Sequence, residues 1–284
     1  MTTSVTITGT GTPEVRPGRA GAGVLVRSGD IALQFDAGRG TVMRLAGAGQ
    51  HLTELDALFV THHHSDHLVG VPDLVMTRWL DDTQRLGQPD LPIYAPHGEA
   101  TDIIERMLDI WQNEITMRQL HTHRPNRPEM DVRTFSPSKT ESVLVAQFSE
   151  VTVSAIAVEH DPVVPAVGYR IDTPDGSVVI SGDTTVCRQI GELSRGVDVL
   201  VHEAVRADGL AGIVSDPEAI LAYHSECSQI GSMAQQVGVK QLVLTHLLPP
   251  PDTPEETRAF ALDVRSGGYE GDLVVANDLT TVEF

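Results

Sequence analysis

Two cysteines in 284 residues, Cys187 and Cys227, cannot build a disulfide framework, and neither belongs to a CxxC pair. A reducing compartment fits, and the cytoplasm is the expected location. Residues 1–30 lack a basic start followed by an apolar core, and no apolar run approaches the roughly 18 residues that a membrane span needs. Neither secretion nor membrane insertion is expected. Basic residues are scarce as well. Lys and Arg number 20 against 39 Asp and Glu, and the formal net charge of −19 gives a field that repels polyanions at long range. No internal repeat, low-complexity tract or linker divides the chain, so 1–284 reads as one domain with room for a large α/β core. A dinucleotide fingerprint is also absent. The glycine-rich stretch 9–23 has GxG at Gly9 and Gly11, but Pro13 and Pro17 stand where a helix would have to begin.

What the chain does contain is concentrated in Thr61–His67, which reads THHHSDH and follows the apolar run Leu55, Ala57, Leu58, Phe59, Val60. An apolar run of strand length that stops at histidines and a carboxylate presents metal ligands where a strand gives way to a loop. His62 and His64 are two apart, so in extended backbone they point the same way, while adjacent Asp66 and His67 reach a second position from a turn. That spacing predicts two metals. It differs from HExxH, where two histidines four apart share a helical face around one zinc.

The remainder reads as alternating strands and helices. Ser4–Thr8 alternates as a strand, Val24–Val26 and Ile31–Phe35 form a hairpin across 28–30, and Thr41–Ala48 is a short helix. Residues 81–90 have the composition of an exposed loop, and Pro92–Tyr94 is a strand. Apolar residues at 103, 104, 107, 108, 111 and 115 predict one helix over Ala100–Leu120 with Trp111 in the core. A basic cluster follows: Arg118, His121, His123, Arg124 and Arg127. It reads either as a lid gripping an anionic substrate, with Arg124 and Arg127 as contacts, or as a solvated surface segment. His121 and His123 are not followed by DH and are not counted as ligands. Val143–Ala157 is rich in strand, and further strands end at Asp183, at His202 and Glu203, and at His246.

HxHxDH after a strand resembles the metallo-β-lactamase superfamily, and the flanking residues resemble its ribonuclease Z and arylsulfatase-like branch. The resemblance covers nearly the whole chain. It implies an α/β fold of the αββα type, two mixed β-sheets packed face to face with helices outside. Asp36 in FDAGRGT matches an aspartate that orients a metal-binding histidine, an Asx-turn at a strand end being the other reading of that residue. EHDPVVPAVGYR gives His160 as a third ligand beside His62 and His64, and SGDT gives Asp183 as a carboxylate bridging two metals. Asp66, His67 and His246 complete the second metal, so the implied cofactor is two zinc ions, manganese or iron being possible on the same donors. HEA places His202 and Glu203 beside the site. His224 and Ser225 match a histidine-serine helix start.

The implied activity is a dinuclear metal-dependent hydrolase acting through a metal-bridging hydroxide, with Asp66, Glu203 and His224 as catalytic residues. Glu203 and His224 together supply the proton that a departing alkoxide needs. Ribonuclease Z itself has a long arm for transfer RNA, typically between the GYR and SGDT segments, and here only IDTPDGSVVI separates Arg170 from Ser181. With the net charge, this directs the expectation to a small phosphodiester or similar anionic ester as substrate, and transfer RNA is not expected. Arg39 stands where the family often has glutamate, and Glu226 where a small hydroxyl residue is common, so the outer pocket is altered. Arylsulfatase or lactonase activity on the same scaffold, and a metal-binding module without turnover, are the alternatives. The resemblance also implies a homodimer.

Overall fold

The computed structural model describes residues 2–82, 87–211 and 213–284. In the first sheet β1 (Thr3–Gly9), β2 (Gly23–Ser28) and β3 (Ile31–Phe35) form an antiparallel meander, which β4 (Ala57–Phe59), β5 (Pro92–Pro96) and β6 (Asp131–Phe135) extend in parallel. The second sheet repeats that plan. β7 (Val143–Phe148), β8 (Val151–Ala157), β9 (Val167–Thr173) and β10 (Gly176–Ile180) are antiparallel neighbours, and β11 (Val199–Val205), β12 (Gln241–Leu248) and β13 (Asp272–Val275) continue in parallel. The chain then returns to the first sheet, where β14 (Thr281–Glu283) pairs with β1. Both sheets are mixed, as expected. The parallel strands of each sheet deliver their ends to one rim, the usual place for a site in an open α/β sheet.

Strand alternation gives each sheet an inner and an outer apolar face. Val5, Ile7, Leu33, Phe35 and Phe59 meet Val153, Tyr169, Ile171, Val178 and Val201 between the sheets. Phe59 lies in the middle of a ring stack, 4.9 Å from both Phe35 and Tyr94, with Tyr169 edge-on at 5.5 Å. Helices α1 (Thr41–Gly47), α2 (Ser65–Leu68), α3 (Val71–Asp81), α4 (Glu99–Arg106) and α5 (Gln112–Thr122) follow the strands of the first sheet. Leu45, Leu74, Trp79, Ile104 and Ile115 from them cover its outer face. Helices α6 (Arg188–Leu193), α7 (Ala207–Leu210), α8 (Pro217–Leu221), α9 (Cys227–Val237) and α10 (Pro254–Ser266) follow those of the second, with Ile190, Ile230, Phe260 and Val264 in its outer core. The last helix opens with Thr253 accepting from the Glu256 amide, Glu256 reaching back to the Thr253 amide, and Pro254 in the first turn.

Between Ala100 and Leu120 the expected single helix is broken. α4 ends at Arg106, a tight turn spans Asp109–Trp111, and α5 starts at Gln112. Periodicity ran through the break because Ile104 and Ile115 both point inward, while Leu108 at φ −90°, ψ −4° turns the backbone between them. Trp111 consequently lies outside the core, 44% exposed. The loop expected over 81–90 agrees where it is described, and its residues 83–86 lie outside the described residues.

Two hydrogen bonds tie the sheets together beside the histidine-rich loop. The Tyr169 hydroxyl donates to the Val60 carbonyl at 2.7 Å, and the Val167 amide donates to the Thr61 carbonyl at 3.0 Å. Tyr169→Phe leaves the buried Val60 carbonyl without that donor, so unfolding in urea should show a loss of about 1 to 2 kcal/mol. An unchanged midpoint and slope would remove this tie from the account of stability.

Candidate metal centre

Asp36 sets the loop that holds the first histidines. It sits at the end of β3 at φ 53°, a strained conformation for a side-chain-bearing residue, and fixes both ends of the loop. Its Oδ1 accepts from the Thr61 amide at 2.8 Å, and its Oδ2 accepts from the Thr61 hydroxyl at 2.8 Å and from His67 Nδ1 at 2.7 Å. Glycines bring the neighbouring chain close enough. A Cβ on Gly38 would lie 2.2 Å from the Asp66 carbonyl oxygen, and one on Gly21 2.7 Å from it. The single turn of α2 then carries Asp66 and His67 into the interior, both buried.

The second sheet supplies the rest from strand ends. Asp183 follows β10 and His160 follows β8. In β12, Glu203 of β11 faces Thr245 and Ala204 faces Leu247, so His246 is the extra residue of a bulge, at φ 44°. Such a bulge re-aims a side chain that regular alternation would place elsewhere. Donor atoms of His62, His64, His160 and Asp183 lie within 4.8 Å of one another, and so do those of Asp66, His67 and His246. Asp183 Oδ2 lies between the two groups, 3.8 Å from His62 Nε2, 4.0 Å from His160 Nε2, 3.4 Å from His67 Nε2 and 3.5 Å from His246 Nε2. His160 Nε2 is 3.3 Å from His64 Nδ1, and His246 Nε2 is 3.2 Å from Asp66 Oδ2.

Hydrogen bonds at the far side of the His62, His67 and His160 rings turn the other nitrogen of each inward, toward a cation. His62 Nδ1 bonds the Thr61 hydroxyl at 2.9 Å, His67 Nδ1 bonds Asp36, and His160 Nδ1 donates to the Tyr223 carbonyl at 2.9 Å. The Nε2 atoms of His62 and His67 are buried and have no protein partner. Two buried groups of nitrogen and carboxylate donors with orphaned lone pairs fit a dinuclear metal site. Without cations the cluster balances its charge by protonation. Burial alone would raise the Asp183 carboxyl, yet His246, His67 and His62 hold it well below its ordinary range. Burial would lower His67, yet Asp183 and Asp36 lift it well above. His62 is pushed well down by burial, and burial brings His64 down to about 4.

Glu203 and His224 meet at the edge of this cluster. Glu203 Oε1 accepts from the Thr184 amide at 3.0 Å and from His224 Nδ1 at 2.8 Å, while its Oε2 is buried with no protein partner. Burial would lower His224, but the Glu203 carboxylate outweighs it and raises the imidazole to about 9. A ring nitrogen of His224 also lies within 4.8 Å of Asp183 and His246 donors, so His224 reaches the same space from the protein side. His202 is oriented differently. It shares the outer face of β11 with Leu200 and Ala204, and its Nδ1 donates to the Glu203 carbonyl at 2.8 Å.

Thr61, Thr184 and Tyr223 support the cluster and were not singled out from the sequence. Thr61 carried the one available signal, its place directly before HxH. The basic segment is reassigned. Arg124 Nη1 donates to the Trp79 and Asp82 carbonyls and Nη2 to the Leu80 carbonyl, at 2.7, 3.1 and 2.7 Å, with the guanidinium over the Trp79 ring. It caps the end of α3, satisfying carbonyls that a helix leaves free. Arg127 donates to Thr116 and Gln112 on α5. Both arginines thus have partners within the fold, Arg124 on backbone carbonyls and Arg127 on side chains of α5. Arg124→Ala should lower the free energy of unfolding by about 1 to 2 kcal/mol and leave KM for an anionic ester within about twofold. A KM increase without loss of stability would restore the lid. Elemental analysis should find two metal ions per chain and fewer in Asp183→Ala, and chelation should lower Tm because the ions bind only the folded ligand set. An unchanged metal content in Asp183→Ala would end its placement between the two groups.

Comparison with known proteins agrees with the geometry. Residues 33–247 match the family model described as a beta-lactamase superfamily domain. Ribonuclease Z of Mycobacterium bovis (strain BCG / Pasteur 1173P2) is 34% identical over 285 residues, covering 98% of this chain and 97% of that protein. Ribonuclease Z of Mycobacterium sp. (strain KMS) is 36% identical over 286 residues, covering 98% and 95%. Among solved structures, the metallo-β-lactamase fold protein YhfI from Bacillus subtilis superposes with a TM-score of 0.77 at 20% identity, over the whole of both chains. Human tRNase Z, short form, gives a TM-score of 0.68 at 22% identity over 98% of each. These relatives overturn the expectation of a small-molecule ester in place of transfer RNA. The β9–β10 turn, Pro174 and Asp175, indeed has no arm. Yet the mycobacterial proteins named ribonuclease Z align over nearly their full length with this armless chain and leave no room for a long insertion. Net charge misled for a related reason: −19 is a sum over the whole surface, and charges beyond a Debye length of about 8 Å are screened from any one groove. A complete sandwich, a paired ligand set and end-to-end identity converge, and the chain belongs to the metallo-β-lactamase superfamily, in its ribonuclease Z branch, as a metal-dependent hydrolase.

Proposed function

We propose that this chain cleaves an RNA phosphodiester, with precursor transfer RNA as the substrate class. The observation that carries this reading is the hydrogen-bonded Glu203–His224 pair beside a complete two-ion ligand set, in a chain that matches ribonuclease Z from end to end. In this reading His62, His64 and His160 hold one ion, Asp66, His67 and His246 the other, and Asp183 both. The donors suit zinc, and manganese or iron fit the same set. When bound, the two ions supply an ionised water and positive charge to offset that of the phosphate in the transition state.

The protein's own share follows from its hydrogen bonds. Glu203 accepts a hydrogen bond from Nδ1–H of His224, which fixes the ring and leaves its other nitrogen to carry a proton toward the leaving oxygen. Asp36 holds the His67 ring and the start of the loop. Asp66, 3.2 Å from His246, would add a carboxylate to the donors of the second ion, and His202 steadies the Glu203 backbone. We further read 1–284 as one domain, since β14 at the end of the chain pairs with β1 at its start, and the cytoplasm as its location, since Cys187 and Cys227 are unpaired. Among the described residues, no helix is long and apolar enough to cross a membrane.

His224→Ala should retain both metals and slow cleavage of a precursor transfer RNA by roughly 10²- to 10⁴-fold, because an alkoxide needs protonation to leave. Its effect on bis-p-nitrophenyl phosphate should be much smaller, since p-nitrophenolate leaves without help. Equal losses on both substrates would show that His224 positions the substrate and donates no proton. A wild-type protein that hydrolyses the nitrophenyl ester in a chelator-sensitive way and leaves RNA intact would overturn the substrate class.

A further inference from the structure

Most tyrosines here are spent on structure. Tyr169 and Tyr269 are buried and donate their hydroxyls to backbone carbonyls. Tyr223 departs from that pattern. It stands directly before His224, between α8 and α9, and is only half-buried. Its ring centroid is 4.7 Å from that of His224 and 5.4 Å from that of His160. The Tyr223 carbonyl accepts from His160 Nδ1, so the residue is held in register with the metal donors. The solvent side of the cluster lies close by: His64, 3.3 Å from His160, is itself half-buried, and Ser65 and Asp161 beside them are exposed.

We propose that Tyr223 is a stacking platform for the base of the nucleotide that carries the leaving oxygen, and hence a specificity determinant for unpaired RNA at the scissile bond. The inference rests on the RNA reading above. If His224 protonates the leaving oxygen, the nucleotide attached to that oxygen lies against His224, and the adjoining flat surface is the Tyr223 ring. Recognition of RNA at single-stranded ends relies on unstacked bases laid on aromatic side chains. Every base offers a π-face, so a tyrosine there tolerates sequence while it excludes a substrate without a base.

The test uses the metal-loaded full chain and short RNAs with one scissile bond, carrying an abasic nucleotide on the leaving-group side or on the other side. In the wild type, the leaving-group abasic RNA should lose about 5- to 100-fold in kcat/KM, mostly through KM, the range expected for one base–aromatic stack. Tyr223→Phe keeps the ring and should keep this sensitivity. Tyr223→Leu should lose it, cutting normal and abasic RNA with similar kcat/KM. If Tyr223 only props the His160 and His224 rings, Tyr223→Leu will be slower on every RNA yet remain as sensitive to the missing base as the wild type, and the proposal is wrong. Sensitivity confined to the other side of the scissile bond overturns it as well. Either result leaves RNA cleavage itself intact, whereas a wild type that hydrolyses bis-p-nitrophenyl phosphate and cuts no RNA brings down the substrate class and this inference together.

Discussion

The structure depends on the charge balance around Asp183. A carboxylate buried at 2% exposure, ringed by four imidazoles within 4.0 Å, is tolerable only if its neighbours carry compensating charge. Two dications meet that requirement with the lone pairs already aimed inward. Protonated histidines meet part of it when no ion is bound. His67, lifted by Asp183 and Asp36, and His62, driven down by burial, show that one cluster cannot protonate all its rings at once. The donor set therefore fits a pair of metal ions.

Everything nearby holds that cluster in place. Asp36 spends its carboxylate on Thr61 and His67, Tyr169 reaches across the inter-sheet core to Val60, and the β12 bulge turns His246 inward. Backbone at φ 53° for Asp36 and 44° for His246 is costly, of order 1 to 3 kcal/mol each, and persists because the surrounding hydrogen bonds and packing over-determine it. Strain sits where it aims metal donors. The apolar stack of Phe35, Phe59 and Tyr94 gives the rigid floor beneath.

Electrostatics acts on two length scales here. Over the whole surface the chain is strongly acidic, and long-range attraction does not help it collect RNA. Within the pocket two divalent ions on the ligand set would offset the carboxylates of Asp36, Asp66, Asp183 and Glu203. Local charge is thus set by what the ligand set binds and not by the total. A substrate reading drawn from the total erred on this point, because a count of charges does not show where they act or which of them, like Arg124, are already engaged.

The sequence by itself determined the metal chemistry. HxHxDH at a strand end reports its meaning in six consecutive residues, and the matching segments around His160, Asp183, Glu203, His224 and His246 carry theirs in short local patterns. Strand alternation made single strands legible, since a period of two is a local property, and the resemblance to the family implied the sandwich. Tertiary structure alone decided what depends on distant pairing. It split the 100–120 helix at Leu108 and left Trp111 exposed, because a turn that preserves the inward direction of Ile104 and Ile115 is invisible to periodicity. It spent Arg124 on the end of α3, 45 residues earlier in the chain, and set Tyr223 against His160, 63 residues away. Ligand identity is written in neighbouring residues, whereas hydrogen-bond partners and accessible rings are fixed only when remote segments are packed together.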